Sequence, residues 1–111
     1  MLRAGFSISE DGIIQYQMGY GADEFGNVLN GTFSGEKSDY RCNLVSSHHW
    51  RITQIDSSLQ ITIRVSEKPP RRLGLFAIPV LQVQFNVHHS DPDLQAKFFD
   101  RFFKYFHKGG G

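Results

Sequence analysis

The sequence predicts an α+β domain, with an antiparallel sheet or small open barrel of about six to seven strands covered by one C-terminal amphipathic helix. Three observations predict it. Apolar and polar residues alternate through most of the chain, most cleanly at Leu59, Ile61, Ile63 and Val65 against Gln60, Thr62 and Arg64. Turn signals interrupt the alternation, notably Asp11-Gly12 and Asp56-Ser57-Ser58. Helical periodicity stands out once, after Ser90-Asp91-Pro92.

The opening hairpin joins Leu2, Ala4, Phe6 and Ile8 through Ser9-Glu10-Asp11-Gly12 to Ile14, Tyr16, Met18 and Tyr20. Residues 19–31 carry Gly19, Gly21, Gly26 and Gly31 together with Asp23 and Glu24, and read as a mobile loop, with a weak strand over 28–34. Tyr40, Cys42 and Leu44 alternate again, and Trp50 and Ile52 begin a hairpin whose second strand spans 59–65. Pro69-Pro70 cannot enter a central ladder, so residues 66–77 read as a loop outside the sheet. A long strand over 79–88 follows, with Leu81, Val83 and Phe85 on one face.

The helix is expected over 92–107, with Asp91 as N-cap, Pro92 in the first turn and Gly109 as the stop. Its apolar side is unusually wide. A helix lying on a sheet needs an apolar stripe of about 100° or a little more. Leu94, Phe98, Phe99, Phe102, Phe103, Tyr105 and Phe106 sweep nearly half the cylinder. The expected core comprises Trp50, Ile61, Ile63, Val83, Phe85, Leu94, Phe98 and Phe102. Strands followed by one helix suggest a PH-like barrel capped by its helix, or a helix-grip-like sheet wrapped around it. Either is a topological analogy without functional content.

With 111 residues, 40% of them hydrophobic, the chain supports one globular domain over 1–108, followed by a flexible glycine tail at 109–111. Twelve Lys and Arg oppose eleven Asp and Glu, so any positive patch must be local and nucleic acid is not an expected partner. Cys42 is the single cysteine, which excludes an intramolecular disulfide. The N-terminal residues lack the apolar run of a signal peptide, and no stretch approaches a membrane span. A cytoplasmic location is the expectation. Asn30-Gly31-Thr32 then reads as a tight turn rather than a glycosylation acceptor.

No catalytic constellation assembles from spacing alone. The histidine pairs His48-His49 and His88-His89 offer one ligand per sheet face each, without the Cys or His spacings of a metal site, so neither metal nor cofactor is expected. Cys42, on the apolar parity of its strand, reads as a small packed hydrophobe. Two features invite partners. Arg64, Lys68, Arg71 and Arg72 form the one basic concentration, suited to an anion, an acidic peptide or an anionic headgroup. The helix flank at Phe99, Phe103 and Phe106 is suited to self-association or a protein partner. The expected function is a non-enzymatic binding or adaptor module acting through the aromatic helix, a sheet edge or the basic loop. The alternative is a carrier of a small apolar ligand held between sheet and helix.

Overall fold

The computed structural model describes residues 7–8, 12–35, 39–88 and 91–106. The expected strand residues Leu2 to Phe6, His89, the helix end at His107 and the tail at 109–111 lie outside the described residues. In chain order the elements are β1 (Ser7–Ile8), β2 (Ile13–Met18), α1 (Ala22–Phe33), β3 (Tyr40–Ser46), β4 (His49–Gln54), β5 (Gln60–Leu73), β6 (Phe76–Val87) and α2 (Pro92–Tyr105). The sheet runs β1-β2-β6-β5-β4-β3 with every neighbouring pair antiparallel. Five of these are strands of six residues or more, and β1 adds two residues at the edge. The expected six to seven strands thus reduce to five. One reason is that a helix occupies part of the segment read as loop and weak strand. The other is that the first expected strand, from Leu2 to Ile8, is described only at Ser7–Ile8.

The sheet is open. The first full strand, β2, lies beside the last, β6, and α1 carries the chain from β2 to the opposite edge at β3. The helices therefore lie on an open sheet, not on a closed barrel. Two helices, not one, cover the inner face.

Helix α1 corrects the reading of residues 19–31. Ala22, Phe25, Leu29, Thr32 and Phe33 are buried at spacings of three, four, three and one, a helical face interleaved with the misleading glycines. Gly26 is a packing residue: a Cβ there would lie 3.0 Å from Cζ2 of Trp50, whose ring is tilted against Phe25. Asn30-Gly31-Thr32, read as a turn, belongs to the last turns of this helix. Its start resembles a phosphate-cradling terminus only superficially, because the Ala22 N–H already donates to the Glu67 carboxylate at 3.3 Å. At its other end no basic residue occupies the last turn. Arg101 of α2 supplies the missing cation, donating from Nε to the Thr32 carbonyl at 2.8 Å.

The second helix explains its own width. Phe98 stacks on Phe33 of α1 at 4.8 Å and meets Phe85 of β6 edge-on at 6.4 Å. Phe102 lies 5.0 Å from Phe85, and Phe106 lies 4.9 Å from Phe25. On the far flank, Phe103 approaches Tyr16 of β2 at 5.4 Å, and Phe99 approaches Phe85 at 5.2 Å. One flank of α2 therefore faces the sheet and the other faces α1. The expected core residues are all buried except Leu94, which is half-buried at its rim.

Candidate functional surface

Strand pairing places the candidate residues. Because opposed residues share a face, the register can be read row by row across the outer, helix-free side of the sheet. One row is Arg41, Thr53, Gln60; the next is Asn43, Arg51, Thr62, Asn86, Ile13; a third is His49, Arg64, Gln84, Gln15. Beyond them lie Ser66, Gln82, Gln17, then Lys68 opposite Val80, and Arg71 opposite Ile78. Cations thus recur from Arg41 through Arg51, Arg64 and Lys68 to Arg71, all exposed. Among the described residues, no strand position on this face is an acid. Among the described residues, Asp39 and Asp56 flank the Arg41 end in turns. Between the cations, the amides fasten one another: Gln17 Nε2 donates to Gln82 Oε1 at 3.1 Å, and Gln82 Nε2 to Gln15 Oε1 at 3.0 Å.

The segment expected to leave the sheet is its most extended feature. Strand β4 pairs with β5 only as far as Arg64, and β2 pairs with β6 only from Leu81 to Asn86. Beyond these limits β5 and β6 continue alone as a two-stranded ribbon, closed by Gly74-Leu75 between Leu73 and Phe76. Gly74 has φ +61°, the left-handed conformation that a hairpin turn with glycine first requires. Pro69 and Pro70 fall where the register shifts between Lys68 and Arg71. A bulge in a ribbon with two free edges has no ladder partner for the missing N–H groups, which is why the prolines do not end the pairing. From Lys68, opposite Val80, to the tip the arm reaches roughly 15–20 Å at about 3.3 Å per residue. Its end is apolar and bare: Leu73 is 54% exposed, Leu75 102% and Phe76 74%. Arg72 lies opposite Ala77 on the ribbon's other face.

Of the expected site residues, Arg64, Lys68 and Arg71 share the outer face, and Arg72 joins them on the arm. The helix-flank candidates separate. Phe106 is 2% exposed and stacks on Phe102 at 4.2 Å, so it is a core residue with no surface to present. Phe99 and Phe103 are half-buried and packed against the core.

The histidines and the cysteine do not converge. His49 and His88 lie at opposite ends of the sheet, on strands separated by β5. Among the described residues no three His, Cys, Asp or Glu side chains group as metal ligands. His49 sits beside Arg64 and Arg51 on the outer face; burial, then those two guanidiniums, push its pKa below the usual histidine range. Cys42 pairs with buried Ile52 and so shares the inner parity, facing away from His49. Burial pushes the Cys42 thiol up to about 11. Iodoacetamide at pH 8 should therefore alkylate the folded protein about a hundredfold more slowly than a free thiol. The rate should climb about tenfold per pH unit until that pKa is approached. A rate matching free cysteine at pH 8 would contradict the burial.

A groove of about 560 Å³ opens between α1 and the β3–β4 hairpin, lined by Asp23, Asn27, Asn30, Ser47, His48 and the Trp50 ring. Its wall includes the core residues Ala22 and Trp50. The signal that sequence reading missed is the outer face itself. Arg41, Arg51 and Arg64 are ten and thirteen residues apart in the chain and meet only through register.

Fold and surface together define an α+β open-sheet domain with a cationic face and a projecting arm. No protein-family model, curated protein or solved structure matches the chain. Among the described residues, no helix is long and apolar enough to cross a membrane.

Proposed function

We propose that the protein is a non-enzymatic binding module that engages an anionic partner through the outer face of its sheet and the β5–β6 arm. The observation that carries this reading is charge segregation. A chain with twelve basic and eleven acidic residues would show both signs on each surface if charge were dispersed. Here the strand positions of one face hold Arg41, Arg51, Arg64, Lys68 and Arg71 and no carboxylate among the described residues. Such a field attracts a polyanion and repels acidic surfaces. The separation of Cys42 from His49 and the protonated state of its thiol favour binding over catalysis. Rings packed between α2 and both its neighbours favour a surface module over a carrier with an internal ligand.

Heparin, a polyanion without apolar groups, tests the reading. The protein should bind it at low salt, with affinity falling steeply as salt rises. Arg51→Ala with Arg64→Ala should weaken binding at least tenfold, flatten the salt dependence and leave the melting temperature within a degree or two, since both side chains are exposed. Absence of heparin binding at low salt, or binding indifferent to both substitutions, would refute the proposal.

A further inference from the structure

We infer that the anionic partner is a lipid bilayer, with the arm's tip inserted among the acyl chains and the outer face of the sheet lying over the headgroups. The inference rests on the polyanion-binding reading for its charge part and on the tip for the rest. A soluble polyanion accounts for the arginines but gives Leu73, Leu75 and Phe76 nothing to bury. A bilayer accounts for both. These three side chains are among the most exposed large hydrophobics described, and they stand at the end of the ribbon farthest from the sheet. The outer face of the arm continues apolar behind them, through Ile78 and Val80, between Arg71 and Lys68.

The spacing fits the depth of an interface. Arg71 and Arg72 lie three to four residues from Leu75, about 10 Å along a strand. Amphipathic elements seat their apolar groups about 5–10 Å below the headgroup boundary. With the tip at that depth, the outer-face Arg71 reaches the phosphates, and Arg72 adds its charge from the ribbon's other face. Lys68 lies farther back, about a Debye length from that layer and still within its field. The one acid on the arm, Glu67, has inner parity and already accepts from the Ala22 N–H, so it does not oppose the surface. Lowering the outer face brings Arg64 and Arg51 towards the headgroups, where a carboxylate would be repelled and none occupies a described strand position of that face.

The test uses sedimentation with large vesicles of phosphatidylcholine alone or with 30% phosphatidylserine. The protein should bind the serine-containing vesicles and bind the neutral ones at least tenfold more weakly. Leu75→Ser with Phe76→Ser should cut partitioning about a hundredfold, the loss expected for two apolar side chains that no longer leave water. The same variant should bind heparin as the parent does and melt at the parent temperature. As a second readout, Leu73→Cys carrying an environment-sensitive fluorophore, made in a Cys42→Ser background because Cys42 is only half-buried, should shift to the blue on serine-containing vesicles. Heparin binding without vesicle binding would overturn the bilayer and leave the polyanion reading standing. Loss of both would overturn both. Vesicle binding indifferent to the tip substitutions, or a label that does not shift, would overturn insertion. Tighter binding to a short DNA duplex, unchanged by the tip substitutions, would make nucleic acid the partner instead.

Discussion

Replacing Phe98 with alanine should cost about 3–5 kcal/mol of folding stability, the range for emptying an aromatic core site. Phe98 is 0% exposed and sits where the two helices and the sheet meet. It stacks on Phe33 at 4.8 Å, faces Phe99 at 5.0 Å, and reaches Tyr40, Phe85 and Phe102 at 6.3–6.4 Å. Losing the ring removes contacts to both helices and to strands β3 and β6 at once, and no single neighbour can close the void without leaving another partner. For a domain whose whole stability is about 5–15 kcal/mol, the loss is a large fraction. Urea denaturation should show a much lower midpoint with an unchanged slope. Phe99→Ala is the comparison. That ring is half-buried, and its loss should cost clearly less, about 1–2 kcal/mol. Equal losses at the two positions would mean that α2 is rotated relative to the sheet.

The same contrast shows what the sequence revealed and what it hid. Strands β5 and β6 were legible because a sheet with one solvated face imposes strict alternation, and Ile61, Ile63, Val83 and Phe85 obey it. The C-terminal helix was legible from Asp91, Pro92 and the phenylalanine period, and Asp91 does cap it, accepting from the Asp93 N–H at 2.8 Å. Helix α1 was hidden by its glycines. A glycine usually punctuates structure, yet Gly26 is small because the Trp50 ring packs over it, a long-range cause that no local window contains. The clue lay elsewhere in the chain. The apolar face of α2 is too wide for a sheet alone, and the surplus that suggested a partner is met by Phe25 and Phe33 of α1.

The candidate surface was half legible for a similar reason. Lys68, Arg71 and Arg72 are close in sequence and could be seen together. Arg51 and Arg64 become neighbours of the arm only through a register that pairs His49 with Arg64 and Arg64 with Gln84. Net charge averages over both faces and so conceals their difference. The arm was misread because Pro69 and Pro70 forbid a central strand but not a ribbon with open edges. Whether a ladder position has a second neighbour is a property of topology, not of the local sequence.

Gly12→Ala should destabilise by about 1–2.5 kcal/mol, although it adds only a methyl group. Two independent costs meet there. Gly12 has φ +76°, a left-handed conformation that costs an L-residue about 1–2 kcal/mol. A Cβ at this position would stand 2.9 Å from the Val87 carbonyl oxygen, a backbone atom that cannot swing aside as a side chain can. Retreat of that strand end would stretch the bond from the Val87 N–H to the Gly12 carbonyl, now 3.0 Å, which is worth about 1 kcal/mol. Alanine also restricts the unfolded chain and returns about 0.4–1 kcal/mol, which the two costs exceed. The melting temperature should fall by about 10 °C for a domain of this size. Gly12→Asn separates the causes. Asparagine tolerates left-handed backbone better than alanine but carries the same Cβ. If the clash dominates, asparagine should be nearly as damaging as alanine; if strain dominates, it should recover most of the loss. Because Gly12 joins the first full strand to the last, the clash-dominated outcome should also weaken hydrogen-exchange protection at Val87 before it affects the β3–β4 hairpin at the other edge.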